Sequence, residues 1–181
     1  MPANKPTFID EALNAVRGTV AVAIGSRDTP FYFDFSRRGL IGSFIALLLA
    51  VALDVLAPAA EGRGSVVPAL LLIALLYAVQ MGAVYLVLMQ MQRLDGFVPY
   101  VVVDNWLTLI LGIVFALLGL VGLQGDAWAI VAGMAVLWMQ INIARHVVTL
   151  KPLQIAVFIV AQILAVFLAT AVLIGPTVPA S

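Results

Sequence analysis

The sequence predicts an all-α fold: a polytopic membrane bundle of five transmembrane helices, preceded by an amphipathic helix at the cytoplasmic surface. Three observations carry this. The 181 residues are 64% hydrophobic and only 10% charged, too few charges to cover the surface of a soluble domain of that size. Mean hydropathy is +1.16. Beyond residue 38 the apolar residues fall into five runs, each near the ~20 residues that cross ~30 Å of hydrocarbon as a helix. No run alternates as a barrel strand would.

Two regions follow: residues 1–38, cytoplasmic or interfacial, and residues 39–181, the transmembrane domain. Residues 1–6 read as a tail. Thr7 is placed to cap a helix whose first turn carries Asp10 and Glu11, favourable at the positive end of the helix dipole. Phe8, Ile9, Ala12, Leu13, Val16, Val20 and Ile24 recur at helical spacing, with Asp10, Glu11, Asn14 and Arg17 on the other side. Two readings of residues 8–24 stay open: a helix lying in the membrane plane, or one packed on the ends of its own bundle. Gly25 suits the C-terminus and Pro30 blocks continuation. Asp10, Glu11 and Asn14 interrupt any signal-peptide core, so the first span is expected to act as its own uncleaved insertion signal.

Residues 26–43 mark the change of solvent. Phe31, Tyr32, Phe33 and Phe35, with Asp34 among them, precede the paired cations Arg37 and Arg38. Aromatic rings favour the headgroup layer, and basic residues hold their end of a span in the cytoplasm. This group is the expected topology anchor. It could also form a strap across the polar end of the bundle, with Asp34 meeting a cation or Arg37 meeting Asp104.

The spans are expected at about 39–57, 66–90, 99–123, 127–144 and 152–174. Pro58 and the turn Glu61-Gly62-Arg63-Gly64-Ser65 end the first, Arg93 to Gly96 separates the second from the third, Gln124-Gly125-Asp126 ends the third, and Gly175-Pro176 closes the fifth. With the N-terminus inside, Lys5, Arg17, Arg27, Arg37, Arg38, Arg93, Arg145 and Lys151 are cytoplasmic and only Arg63 is outside. That asymmetry predicts a multi-pass protein with the N-terminus in and the C-terminus out.

Lipid provides no hydrophobic drive for helix association, so small residues at four-residue steps mark expected contacts. These are Gly42, Ala46 and Ala50 with Asp54; Thr108, Gly112 and Ala116 with Asp104; Ala129 and Gly133; and Ala161, Ala165 and Ala169. Charge inside a span is costly and draws attention to function. The candidate cluster is Asp104, Asn105, Asn142, Arg145 and His146. One reading pairs Asp104 with Arg145 or His146 in a polar nest; the other has Arg145 snorkelling and Asp104 capping a helix start. Asp54 reads as an interfacial group with Arg63 as a possible partner. Gln80 and Gln162 read as interhelical glue, and Tyr77, Met81, Tyr85 and Met89 as a packing or lipid-facing stripe.

With no cysteine and one histidine, no metal site is expected, nor a cofactor. Neutral net charge argues against nucleic acid. No His-Glu-x-x-His, Gly-x-Ser-x-Gly or phosphate loop is present, so no enzyme is expected. Five spans do not divide into two equal inverted repeats, which weakens a transporter reading.

Two patterns resemble a group of small bacterial inner-membrane proteins: Tyr32-Phe33-Asp34-Phe35-Ser36 with Gly39 and Ser43, and Arg93 with Tyr100, Asp104, Asn105 and Trp106. Asp104 departs from that pattern, where a small residue is expected. The five-span layout with a cytoplasmic N-terminal segment is also similar to the Yip-type integral membrane family, whose eukaryotic members bind small GTPases and shape vesicle membranes. The resemblance implies no catalytic residue. The expected role is therefore an accessory or organising partner of other membrane components, in contact with the bilayer and with a membrane-protein partner or further copies of itself. The alternative is a small oligomeric transporter or channel whose polar path lies at the cytoplasmic ends of spans 3 and 4.

Overall fold

The computed structural model describes residues 7–60, 62, 65–123 and 125–174. All regular structure among them is helical, in six α-helices: α1 (Phe8–Ala23), α2 (Arg37–Ala60), α3 (Val66–Gln90), α4 (Phe97–Leu120), α5 (Asp126–Asn142) and α6 (Pro152–Ile174). Five stretches, one on each of α2 to α6, are long and apolar enough to cross a membrane. Arg63, Gln124 and the Gly175-Pro176 stop lie outside the described residues, and with Arg63 the proposed partner of Asp54. Asp54 itself is exposed.

The predicted spans over 66–90 and 152–174 coincide with α3 and α6. Elsewhere the boundaries move. Arg37 and Arg38 belong to the first turn of α2, and that helix continues through Pro58 to Ala60. So close to the end, the missing proline N–H removes a single ladder bond. α4 starts at Phe97, directly after a 3-10 turn over Leu94–Gly96. α5 stops at Asn142 and passes into a π-helical turn, Ile143–Val147. Arg93 closes this end: its guanidinium donates to the carbonyls of Val148 (2.6 Å) and Thr149 (2.9 Å) and to the Thr149 hydroxyl. Carbonyls left free where a helix ends need such donors.

α1 begins as its sequence indicates. Thr7 and Asp10 form a reciprocal capping box, satisfying two of the orphan N–H groups of the first turn. At the other end Gly25 has φ +69°, and the Ser26 N–H reaches back to the Ala21 carbonyl at 2.8 Å. Gly25 therefore holds the left-handed position of a helix-terminating turn, which disfavours residues with a Cβ.

The core lies at the end of the bundle where α1 sits. α2 packs most extensively on α4, and α3 on α6. Every residue of α4 from Tyr100 to Leu107 is buried, because α1, α2, α3 and the π turn all press on that stretch. Toward the opposite end the helices spread, and Leu117, Leu120, Ile130, Met134 and Val172 are exposed. Of the small-residue faces, that of α2 packs as expected, with Ala46 and Ala50 buried. That of α4 does not. Thr108 and Ala116 are exposed, and a Cβ on Gly112 would meet nothing. α4 instead turns Asn105 and Leu109 inward, because two polar partners on neighbouring helices capture Asn105.

Candidate functional site: a buried polar network

The polar residues of the spans form two networks that share α4. In the first, Asn105 is the hub. It accepts from the Tyr77 hydroxyl (2.9 Å) and donates to Ser43 Oγ (3.1 Å), which itself donates to the Leu40 carbonyl at 2.8 Å. Three helices, α2, α3 and α4, are thereby tied at one depth. Asn105 and Ser43 are both fully buried, where an amide or hydroxyl without partners would be costly.

The second network centres on Tyr100. Its hydroxyl contacts the carbonyl oxygens of Gln162 (2.7 Å) and Gln140 (3.2 Å). Gln80 donates weakly to Gln162 at 3.5 Å, and Gln140 donates to Asp104 Oδ1 at 2.6 Å. The Tyr100 ring is fixed edge-on against Phe158 with centroids 5.3 Å apart. These bonds join α3, α4, α5 and α6.

Gln140, Gln80 and Gln162 border a groove of about 520 Å³ between α5 and α6, whose walls include Gly133, Leu137, Ile163 and Phe167. The groove opens where α5 stands off α6, since α5 is fastened most firmly at the α1 end. Asn142 donates to the Val22 carbonyl and Trp138 to the Ala23 carbonyl, both at 2.9 Å. Beyond Gln140 its contacts with α4 and α6 are few, chief among them the Trp128 ring, edge-on to Phe115 with centroids 6.3 Å apart.

The structure does not gather the five predicted cluster residues into one nest. Asp104 and Asn105 point into different networks, Asn142 turns to α1, Arg145 is exposed and His146 only half-buried. Among the described residues no ion pair joins Asp104 to Arg145 or His146; an amide holds the carboxylate instead. Nor does Asp104 cap α4, being seven residues inside a helix that starts at Phe97, roughly 10 Å along its axis. The strap takes another course as well. Phe33 lies against Gly18, where an added Cβ would strike its ring, and Gly39 packs so closely on the Asp34 carbonyl that no Cβ fits. Asp34 accepts from the Ser36 N–H (2.8 Å) and hydroxyl (2.9 Å), turning the chain into α2. Tyr32 and Phe35 pack on the core, Phe31 is 86% exposed, and Arg37 is exposed. The strap thus braces α1 against α2.

Tyr77 and Tyr100 escaped sequence reasoning as site residues. A tyrosine in an apolar run signals little, since its ring suits either core or interface; only the facing amides give its hydroxyl a role. Gln80 and Gln162, expected as interhelical glue, do bond one another.

On the α1 side Glu11 pairs with Arg38 at 3.4 Å. Burial raises the Glu11 carboxyl above the ordinary glutamate value, with Arg38 opposing the rise and Asp34 adding to it. Asp10 is held below the usual aspartate value by the Thr7 backbone and hydroxyl donors.

Compared with protein families, characterised proteins and solved structures, the chain matches none.

Proposed function

We propose that this is a multi-pass protein of a bacterial cytoplasmic membrane, with the N-terminus inside, that works by contact as an accessory or organising partner of other membrane components. One observation carries this reading: among the described residues the buried polar side chains of the spans each have a hydrogen-bond partner, and most of these bonds tie one helix to another. Among the described residues the Thr19 hydroxyl is the one buried side-chain polar atom without a partner, and it lies on α1. A transport path would need polar groups lining a continuous opening from one side to the other, whereas here they bond chiefly to one another and only three glutamines border a groove.

The faces of α1 support a place in the cytoplasmic interface. Ala15, Gly18, Thr19 and Val22 are buried and turn toward the bundle, and Phe8 stacks on Trp106 with centroids 5.4 Å apart. Ile9, Leu13, Val16, Val20 and Ile24 form a second, exposed arc. Asp10, Asn14 and Arg17 form a third. A helix with separate protein, apolar and polar faces fits the margin of a bundle at a membrane surface, where all three environments meet. The two sequence readings of residues 8–24 then hold together, since different faces serve each.

The test uses the full chain with a photo-crosslinking side chain at Leu13 or Val16 in its native membrane, and parallel reconstitution into vesicles. Crosslinks to lipid or to one defined membrane protein, with no solute flux, are expected. Crosslinks to neither, or a flux abolished by Asp104→Asn, would overturn the reading in favour of a transporter.

A further inference from the structure

The groove between α5 and α6 is built differently from the rest of the exterior. Its walls are hydrocarbon, but three carboxamides converge on its floor. Gln162 is buried, Gln80 and Gln140 half-buried, and all three are held in place: Gln162 by Tyr100, Gln140 by Asp104, Gln80 by Gln162. Each glutamine offers two N–H donors and a carbonyl with two lone pairs. The bonds formed use only part of that capacity. The Gln80 carbonyl accepts no bond among the described residues, Gln140 keeps an N–H beyond the one given to Asp104, and Gln162 keeps one beyond the long bond (3.4 Å) to the Phe158 carbonyl.

Depth decides what can use that capacity. Gln80 is ten residues from the end of α3 at Gln90, and Gln162 ten from the start of α6 at Pro152. At ~1.5 Å per residue both lie ~15 Å along their helices, about half of a ~30 Å hydrocarbon layer. Water is scarce there, and a phospholipid keeps its charged headgroup at the surface. Acyl chains could fill the groove but would leave the amides unmet. A charged head carried to that depth would be far costlier than a neutral hydroxyl.

We propose that this groove is a binding site for a neutral, long-chain lipid alcohol. Its hydroxyl donates to the Gln80 carbonyl and accepts from a spare amide N–H of Gln140 or Gln162. Its chain lies along Gly133, Leu137, Ile163 and Phe167. A ketone or ester head would only accept, leaving the Gln80 oxygen bare; a hydroxyl meets both kinds of group. The volume of about 520 Å³ falls within the range of small-molecule sites, which combine apolar walls with few convergent polar groups. The open side faces the bilayer, so the ligand enters from lipid. At Gly133 an added Cβ would meet nothing within 4 Å, so the groove extends up to the α5 backbone.

The test places the full chain in lipid nanodiscs with octadecanol carrying a mid-chain diazirine, and maps photolabelled peptides by mass spectrometry. Saturable labelling confined to α5 and α6 is expected. Unlabelled octadecanol should compete; octadecane and an octadecyl ammonium salt should not. Gly133→Leu, which fills the groove, and Gln80→Leu, which removes its free acceptor, should each lower labelling at least tenfold. Ile163→Trp provides a second block from the opposite wall should either variant fail to fold. Labelling spread over all lipid-facing helices and unchanged by the blocking variants would overturn the proposal. So would equal competition by octadecane, or efficient disulfide formation between two copies of a Gly133→Cys variant, which would make a second chain the occupant.

Discussion

The bond between Gln140 and Asp104 gives the sharpest test of how the bundle is held. Gln140→Leu removes the donor that reaches Asp104 Oδ1 at 2.6 Å. Tyr100 also loses its 3.2 Å contact to Gln140 but keeps the shorter one, 2.7 Å, to Gln162; its single hydroxyl proton, already given to Gln162, cannot also satisfy the neighbouring Asp104, so the main loss falls on Asp104. Stranding a buried acceptor costs about 1–3 kcal/mol, more when it is charged, and we expect about 2–3 kcal/mol. Removing both partners in Asp104→Leu/Gln140→Leu leaves nothing stranded, and interhelical hydrogen bonds in membranes average only ~0.6 kcal/mol. The double variant should therefore lose about 1 kcal/mol, less than Gln140→Leu alone. The assay is reversible unfolding in mixed micelles, with all four proteins forming a double-mutant cycle and a parallel cycle pairing Asp104→Leu with Arg145→Leu. Additivity within ~0.5 kcal/mol in the Gln140 cycle, or strong coupling in the Arg145 cycle, would refute the assignment of Gln140 as the partner.

Three further outcomes follow from local geometry. Gly39→Ala forces a Cβ into the Asp34 carbonyl and should destabilise by about 1–3 kcal/mol, as overpacking does. Gly112→Ala meets nothing and should be neutral or stabilise by up to ~1 kcal/mol through helix propensity; thermal melts in detergent compare the two. Arg93→Lys cannot reproduce the fork that serves Val148 and Thr149, because an ammonium is a single point of donation; faster amide exchange at 143–150 should report the loosened turn. For Glu11, whose folded value lies above its unfolded one, the folded state keeps a proton where the unfolded chain has lost it. Docking of α1 is then strongest below the ordinary glutamate range and weakens as pH rises through the raised value. Hydrogen exchange in α1 measured against pH should show this slope, and Glu11→Gln should flatten it.

The residues that compose the site were visible in the chain, but their pairings were not. Asp104, Asn105 and Asn142 stand out because polar groups are rare in apolar runs. Sequence adjacency then suggests that Asp104 and Asn105 act together. In a helix neighbours point 100° apart, so Asn105 faces Ser43 and Tyr77 while Asp104 faces Gln140. Charge complementarity likewise favours Arg145 for Asp104, yet Arg145 lies in the π turn that follows Asn142 and is exposed. The same logic governs α1. Its apolar periodicity was plain, but only contact with Trp106 and Phe33 separates the residues it buries against protein from those it leaves exposed.

By itself the sequence determined the six-helix order, the positions of α3 and α6, the N-cap at Thr7 and the five apolar lengths. These depend on local composition, capping chemistry and the thickness of a bilayer, all of which a linear chain expresses. Tertiary structure alone decided that Asn105 binds Ser43 and Tyr77, that Asp104 is held by an amide, and that α5 stands away from α6 over a floor of glutamines. Those outcomes depend on which helices neighbour one another and on how each is turned about its axis. Small changes of that rotation exchange one polar partner for another without altering hydropathy, so they leave no trace in the order of residues.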